Sequence, residues 1–279
     1  MAAADLPRTR ADEPQHLLAT LLGTYAIGRE PVRAGVFPRL LAEFGISPAG
    51  SRNALSRVAR RGLLERDGEG RARAYRMTAS AREKQARRTR QFMSFGQPTP
   101  PWDGRWTMVL FSLPENDRTA RQALRTRLTR AGFRSLRDGV WGTPRDRQAE
   151  AADLVLAIAP APAAVLRAEL VTASTSFPDI DRMFGLADLR AAYELFTGSF
   201  EPVCARARTA DIPAREALVI RTRLMDEWRE FADTDPDLPD ELLPGGWPRN
   251  RARAVFTELD AALAPLATEY LNGLLAARA

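Results

Sequence analysis

The chain has 279 residues, of which 45% are hydrophobic and 27% charged, a composition typical of a globular protein with more than one core. No run approaches the roughly 20 apolar residues of a membrane span, and Met1 to Glu13 carries charges where a signal peptide needs an apolar stretch. We therefore expect a cytoplasmic protein with no membrane partner. One cysteine, Cys204, and one histidine, His16, exclude an internal disulfide, a Cys/His zinc site and a Cys/His nucleophilic pair.

Positive charge is concentrated near the N-terminus. The 41 basic and 35 acidic residues give a net charge of +6. Residues 1–100 hold 18 basic and 9 acidic side chains, which is net +9, whereas residues 101–200 are net +1 and residues 201–279 are net −4. This asymmetry predicts a nucleic-acid-binding face at one end, with a merely solvated basic segment as the alternative.

The N-terminal third has the element order of a winged helix-turn-helix. Apolar spacing predicts helices over His16–Tyr25, Val36–Phe44 and Pro48–Arg61, and Ser47 is a good N-cap for the third. A β-hairpin with a glycine-rich tip follows over Leu63–Met77. In this arrangement the third helix enters the major groove of DNA and the hairpin lies against the backbone.

The outward face of the third helix consists of hydrogen-bond donors. Four of its side chains are the candidate base readers: Arg52, Asn53, Ser56 and Arg57. Further arginines on this helix and the hairpin are candidate phosphate contacts: Arg60, Arg61, Arg71, Arg73 and Arg76. Because winged helices also dock proteins, a protein-docking or architectural module without an effector is the alternative.

A highly charged helix is predicted over Thr78–Met93, either tracking phosphates or acting as a solvated spacer. The proline-rich stretch Gln97–Pro101 then marks a domain boundary. We therefore expect a flexible tail over residues 1–15 and a DNA-binding domain with its linker helix over residues 16–96.

Residues 97–175 predict a ferredoxin-like βαββαβ domain. Its expected elements, in chain order, are a strand through Val109–Phe111, a helix over Asn116–Ala131, strands over Phe133–Leu136 and Val140–Thr143, a helix from Gln148, and a strand over Val165–Thr172. The Asp-Gly pair between the two middle strands favours a tight hairpin.

Residues 176–279 predict a mostly helical domain, with helices over Leu186–Phe200, Ala214–Phe231 and Arg251–Ala277. The proline-rich segment 235–248 is too rich in proline for a helix and too apolar for a disordered linker, so we expect it to pack in an ordered, extended form. Its acidic residues lack the spacing of a calcium loop, and no metal is expected there. The fold class is therefore multidomain α+β.

Three stretches carry a resemblance to a known family. They are SRNALSRVARRGLL at 51–64, PWDGRWTMVL at 101–110 and WREFADTDPDLPDELLPGGW at 228–247. In these motifs the chain resembles the PaaX family, the bacterial repressors of phenylacetic acid degradation operons. The resemblance implies a homodimer that binds a palindromic operator in double-stranded DNA. It also implies release by an acyl-coenzyme A effector such as phenylacetyl-coenzyme A.

The entry to the middle domain supplies candidate effector-binding residues. Trp102 and Trp106 can stack on an aromatic acyl group or an adenine, and Arg105 can meet a coenzyme A phosphate. The alternative is that both tryptophans pack in a core and that Arg105 pairs with Asp103 or with a carboxylate of another domain.

An enzyme is not expected, because the sequence offers neither a nucleophile–base pair nor a metal cluster. The middle domain also resembles the CRISPR-associated nuclease-like fold, which has a metal-binding aspartate at the end of its first strand. Here Ser112 occupies that place, and the acidic Glu115 and Asp117 come later. We therefore expect no catalytic residues, no metal and no cofactor.

Overall fold

The computed structural model describes residues 13–68, 73–98, 100–113, 117–157, 162–169, 171 and 179–276. It is a mixed α+β structure with two antiparallel sheets among these residues. The chain forms two compact units. Unit 1 contains the described parts of 1–95, 195–232 and 250–279, and unit 2 contains those of 96–194 and 233–249.

Unit 1 begins with three helices that share one core. They are α1 at Pro14–Thr24, α2 at Val36–Ala42 and α3 at Pro48–Arg60, close to the predicted bounds. Leucines at the predicted spacing of α1, such as Leu17 and Leu21, are fully buried in this core. As expected, the side chain of Ser47 caps α3, since its Oγ accepts a hydrogen bond from the backbone N–H of Gly50 at 3.1 Å.

A three-stranded antiparallel sheet and a long helix follow. The strands are β1 at Val32–Arg33, β2 at Leu64–Asp67 and β3 at Ala74–Met77, in the order β1-β3-β2. Strands β2 and β3 are the described arms of the predicted hairpin, whose tip at 69–72 lies outside the described residues. Helix α4 at Ala79–Ser94 begins after Thr78, whose hydroxyl accepts a hydrogen bond from the N–H of Ala81.

The C-terminal helices complete the core of unit 1. Most of the residues of three C-terminal helices belong to this unit: α8 (Leu186–Arg208), α9 (Ala214–Thr234) and α10 (Arg249–Ala276). Leu218 of α9 and Leu271 of α10 lie in the same apolar cluster as the leucines of α1. The N-terminal helices therefore share their apolar core with α9 and α10.

Trp228 of α9 is fully buried in the centre of an aromatic group. Its ring stacks on Phe256 with centroids 4.7 Å apart, and its indole N–H donates to the carbonyl oxygen of Phe92 at the end of α4. Phe196 packs against it from α8. This group ties α4 to the C-terminal helices.

Unit 2 contains the second sheet. Its elements are β4 at Arg105–Phe111, α5 at Arg118–Arg130, β5 at Arg134–Arg137, β6 at Val140–Thr143, α6 at Gln148–Leu156 and β7 at Ala163–Glu169. They follow the predicted order of strand, helix, strand, strand, helix, strand. The sheet order is β5-β6-β4-β7, all antiparallel. The predicted start of α5 at Asn116 and the predicted end of β7 at Thr172 lie outside the described residues.

Helix α8 corrects one predicted boundary. The predicted helix ends at Phe200, but the observed helix continues through Pro202 to Arg208. A proline removes one helical hydrogen bond and crowds the carbonyl four residues earlier, which here belongs to Gly198. The buried neighbours Phe200 and Val203 hold this stretch in the core of unit 1. Packing therefore overrides the helix-breaking tendency of the proline.

The remainder of unit 2 contains α7 at Ile180–Phe184 and the segment between α9 and α10. That segment is largely extended, as predicted, and is interrupted by a 3-10 turn at Asp240–Leu242, a turn at 245–246 and the positive φ of Asp237. Leu238 is buried within it and packs beside Phe184. The segment is thus an ordered part of the unit 2 core.

Candidate nucleic-acid interface

Helix α3 presents one buried face and one polar face. Ala54, Leu55 and Val58 are buried against the core of unit 1. On the other side, all the predicted base readers are exposed, as are the two arginines that follow: Arg52, Asn53, Ser56, Arg57, Arg60 and Arg61. The structure therefore brings these six side chains onto one surface.

The arginines of this surface have no carboxylate partner within the described ranges. This applies to Arg52, Arg57, Arg60 and Arg61, and the first turn of α3 contains no acidic residue. Four guanidinium groups without local compensation attract a polyanion. Bidentate donors of this kind suit phosphates and the guanine edge.

The hairpin next to α3 adds fewer free charges than the sequence suggested. Arg73 is exposed, and Arg71 lies outside the described residues. Arg76 donates from Nε to Oε1 of Glu65 at 2.7 Å, because the two residues are opposite each other on β3 and β2. A phosphate contact by Arg76 therefore has to compete with Glu65, although both side chains are about half exposed.

The predicted effector residues lie at the start of β4. Trp106 is only 2% exposed and packs beside Phe184 and Leu238. Trp102 is half-buried, meets Trp106 edge-on at 6.4 Å between centroids, and donates its indole N–H to the carbonyl oxygen of Pro144. Both tryptophans thus take part in the packing of unit 2.

Arg105 does not pair with Asp103, contrary to one of the alternatives considered for it. Arg167 of β7 occupies that carboxylate, with Nη2 at 2.7 Å from Oδ2, and this contact lowers the pKa of Asp103. Arg105 donates to Asp103 through its backbone N–H, and its guanidinium group does not. Arg167 reaches the carboxylate because β7 pairs with β4, a neighbour relation that residue spacing could not reveal.

A polar network beneath the 235–248 segment was missed by the sequence analysis. The hydroxyl of Tyr193 donates to Oδ2 of Asp235 at 2.5 Å, and burial raises the pKa of both groups. Arg249 donates to the carbonyl oxygen of Leu238 and to Asp240. Asp237 has φ of +55°, a strained value for a residue other than glycine. These contacts fix the path of the extended segment.

Metal-ligating side chains are not clustered in the part of the chain that the structure describes. No group of three His, Cys, Asp or Glu side chains there is placed to hold a metal ion. Cys204 is buried, and burial raises the pKa of its thiol to about 11. Over the same residues, no helix combines the length and the hydropathy that a membrane crossing requires.

The outer face of α3, with four arginines that have no carboxylate partner in the described ranges, is typical of a surface that attracts a polyanion. The sequence matches three protein-family models. They are PaaX-like protein over residues 13–81, PaaX protein central Cas2-like domain over 99–177, and PaaX-like protein C-terminal domain over 184–273. The chain belongs to the PaaX family, as the sequence motifs indicated.

Two known proteins are similar over most of their lengths. The transcriptional repressor PaaX of Escherichia coli strain K12 is 27% identical over 252 residues, which is 85% of this chain and 76% of that protein. The structure of the uncharacterized protein Rv0674 from Mycobacterium tuberculosis superposes with a TM-score of 0.58 at 24% identity, covering 93% of this chain and 98% of that one. The second similarity shows a shared fold.

Proposed function

We propose that the protein is a transcriptional repressor that binds double-stranded DNA through a winged helix-turn-helix made of α1 to α3, the β2–β3 hairpin and α4. The observation that carries this proposal is the exposed, all-donor face of α3. The similarity to a curated repressor supports it and favours a regulator over an enzyme.

Each residue of the interface has a proposed role. Arg52, Asn53, Ser56 and Arg57 read base edges in the major groove, because they lie on the exposed face of α3 in its second and third turns. The remaining cations contact phosphates: Arg60, Arg61, Arg71, Arg73 and Arg76. Arg76 is the weakest of these contacts, since Glu65 already holds its guanidinium group.

The finer assignments follow from the family resemblance. The protein is a homodimer on a palindromic operator of a phenylacetate or related aromatic catabolic operon, and an acyl-coenzyme A ester such as phenylacetyl-coenzyme A releases it. The order of the predicted elements supports a ferredoxin-like central domain and a helical C-terminal domain, with limits near residues 97–175 and 176–279. Trp102 and Arg105 offer the exposed part of an effector site, and Trp106 supports Trp102 from the core.

Release follows from a difference in affinity between two dimer states. A dimer whose two α3 helices match the half-site spacing binds the operator, and one whose helices do not match it binds weakly. An effector that binds the second state more tightly shifts the dimer towards that state and so lowers operator affinity. The size of this effect is limited by the ratio of the effector's affinities for the two states. The same coupling means that operator DNA lowers effector affinity by an equal factor.

Substitution of Arg57 tests the proposal at the level of one residue. If Arg57 reads a base, Arg57→Ala weakens the free energy of binding to the operator by about 1–3 kcal/mol and relaxes the preference for one base pair. The matched control is Arg208→Ala, which removes an exposed arginine of the same unit that is paired with Glu258. Fluorescence anisotropy with the chain's own upstream intergenic DNA and a scrambled duplex measures both effects. Equal losses on the two duplexes would make Arg57 a phosphate contact.

A further inference from the structure

Helix α5 of unit 2 carries a second surface of exposed arginines. From Arg118 to Arg130 it contains five arginines and no acidic residue. Leu124 and Leu128 are buried and fix which side of the helix faces the sheet. The opposite side lines one shallow surface depression with arginines, neutral polar side chains and an alanine, among them Arg118, Thr119, Gln122, Thr126, Arg127 and Arg130.

The five arginines of α5 divide into two groups. Arg121 donates to the carbonyl oxygen of Leu113 at 2.7 Å, and Arg125 pairs with Asp138 at 3.1 Å. These two serve the local structure of unit 2. The side chains of the other three, Arg118, Arg127 and Arg130, are exposed and make no ion pair or hydrogen bond with any part of the chain that the structure describes.

The lack of a carboxylate partner distinguishes the outer arginines of α5 from other arginines of unit 2. Arg147 pairs with Glu150, and Arg167 pairs with Asp103. The three outer cations of α5 have no such compensation, and neutral donors lie between them. A surface built in this way favours a ligand that supplies several negative charges along its length.

The dimensions of the face fit duplex DNA. At about 1.5 Å per residue, the twelve steps from Arg118 to Arg130 span about 18 Å. A stretch of B-DNA of that length carries about ten phosphates, at one charge per about 1.7 Å. A single small anion cannot meet arginines at both ends of the helix. We propose that the outer face of α5, defined by Arg118, Arg127 and Arg130, binds the phosphate backbone of DNA without regard to sequence.

This inference rests on the proposed function and adds a second, sequence-independent contact to that of α3. Such a contact raises the affinity for operator and scrambled DNA by the same factor, because phosphates carry no base identity. The two surfaces are thus distinguishable: α3 variants change sequence preference, whereas α5 variants change the affinity for every duplex and the dependence on salt.

The test compares the full chain with the triple variant R118Q/R127Q/R130Q. Anisotropy titrations use the chain's own upstream intergenic duplex and a scrambled duplex of equal length, each from about 50 to 200 mM salt. Loss of three phosphate contacts makes the negative slope of log affinity against log salt shallower by about two to three, and lowers affinity for both duplexes by about tenfold or more. Arg57→Ala, measured alongside, changes the preference between the duplexes.

Two control variants make the result specific. R118K/R127K/R130K keeps the three positive charges and is expected to keep most of the slope. R208Q/R215Q/R251Q removes the same net charge from exposed arginines that are paired with Glu258, Glu43 and Glu201. This second control is expected to leave the slope within about one unit of wild type. Circular dichroism of each variant confirms that the helices are retained.

The possible failures differ from one another. A slope unchanged in R118Q/R127Q/R130Q, with operator preference retained, overturns the α5 contact and leaves the proposed function intact. Equal slope changes in this variant and in R208Q/R215Q/R251Q also overturn it, since net charge alone then explains the effect. A wild-type chain that binds neither duplex overturns the proposed function and the α5 contact together.

Discussion

The Nε2 atom of His16 in α1 lies 2.7 Å from Oδ1 of Asp226 in α9, although the two residues are 210 positions apart in the chain. The hydroxyl of Thr20 donates to the same oxygen at 2.9 Å. Asp226 is buried, so its carboxylate depends on these two partners for hydrogen bonding. The only histidine of the sequence thus joins the first helix of the proposed DNA-binding part to the C-terminal helices of the same unit.

Removal of the Asp226 carboxylate is expected to destabilise unit 1. Asp226→Ala leaves the buried hydroxyl of Thr20 without its acceptor and costs about 1–3 kcal/mol of unfolding free energy. Asp226→Asn keeps an acceptor oxygen and is expected to cost less. Urea unfolding followed by circular dichroism measures both. Equal stability of Asp226→Ala and wild type would contradict the structural role of this pair.

The stability of the folded chain is predicted to depend on pH through Glu227. Burial, with the neighbouring Asp226, raises the pKa of Glu227 to about 7, and its Oε1 is buried without a hydrogen-bond partner within the described residues. The folded state therefore holds a proton that the unfolded state has released above about pH 4.5. Stability conferred by the neutral carboxyl is complete below that pH and is lost as pH rises through about 7.

Glu227→Gln removes this dependence, because the amide does not ionise. The free energy of unfolding of the variant is expected to exceed that of wild type by about 1–3 kcal/mol at pH 8, and to differ little from it at pH 4. Urea unfolding of both proteins at the two pH values provides the measurement. A difference of the same size at pH 4 and pH 8 would show that titration of Glu227 is not its cause.

Gly139 in the β5–β6 turn is expected to tolerate no side chain. Its φ is +73°, and an added Cβ would lie 2.7 Å from the carbonyl oxygen of Phe111, a backbone atom that cannot swing aside. Gly104 has a similar φ of +77° but open space around it. Gly139→Ala should therefore cost at least about 1 kcal/mol more than Gly104→Ala, which bears only the backbone strain. Thermal unfolding of the two variants compares them directly, and equal costs would contradict the close approach.

A fragment of residues 16–96 is expected to be much less stable than the full chain. Leu218 and Leu271 belong to the core cluster that buries α1 and α3, and Trp228 holds the end of α4 through Phe92. Their absence exposes apolar surface that the full chain buries, at about 25 cal/mol per Å². Hydrogen exchange of α1 amides in fragment and full chain tests this. Equal protection would mean that the N-terminal segment folds on its own.

Local pattern was sufficient to predict the exposed polar face of α3 and most elements. Ser47 followed by Pro48 marks the start of α3, and the spacing of Ala54, Leu55 and Val58 fixes which side chains face outward. The short strand β1 escaped prediction because two residues, Val32 and Arg33, show no period. Strand and helix signals are local, so they are readable from a single sequence.

Contacts between distant segments could not be predicted. The pairing of His16 with Asp226 and of Asp103 with Arg167 depends on which helices and strands become neighbours, and no spacing in one sequence encodes that. For the same reason the sequence did not separate the outer arginines of α5 from Arg125, which Asp138 holds. Whether an arginine is compensated depends on tertiary structure.

The central claim is tested most directly by fluorescence anisotropy of the full chain with its own upstream intergenic DNA. The titrations are made across a range of salt, with and without a panel of acyl-coenzyme A esters that includes phenylacetyl-coenzyme A. We predict tight binding that weakens linearly in log affinity against log salt, and release by one ester of the panel. Absence of specific binding to that DNA would contradict the repressor function, and binding that no ester disturbs would contradict the effector.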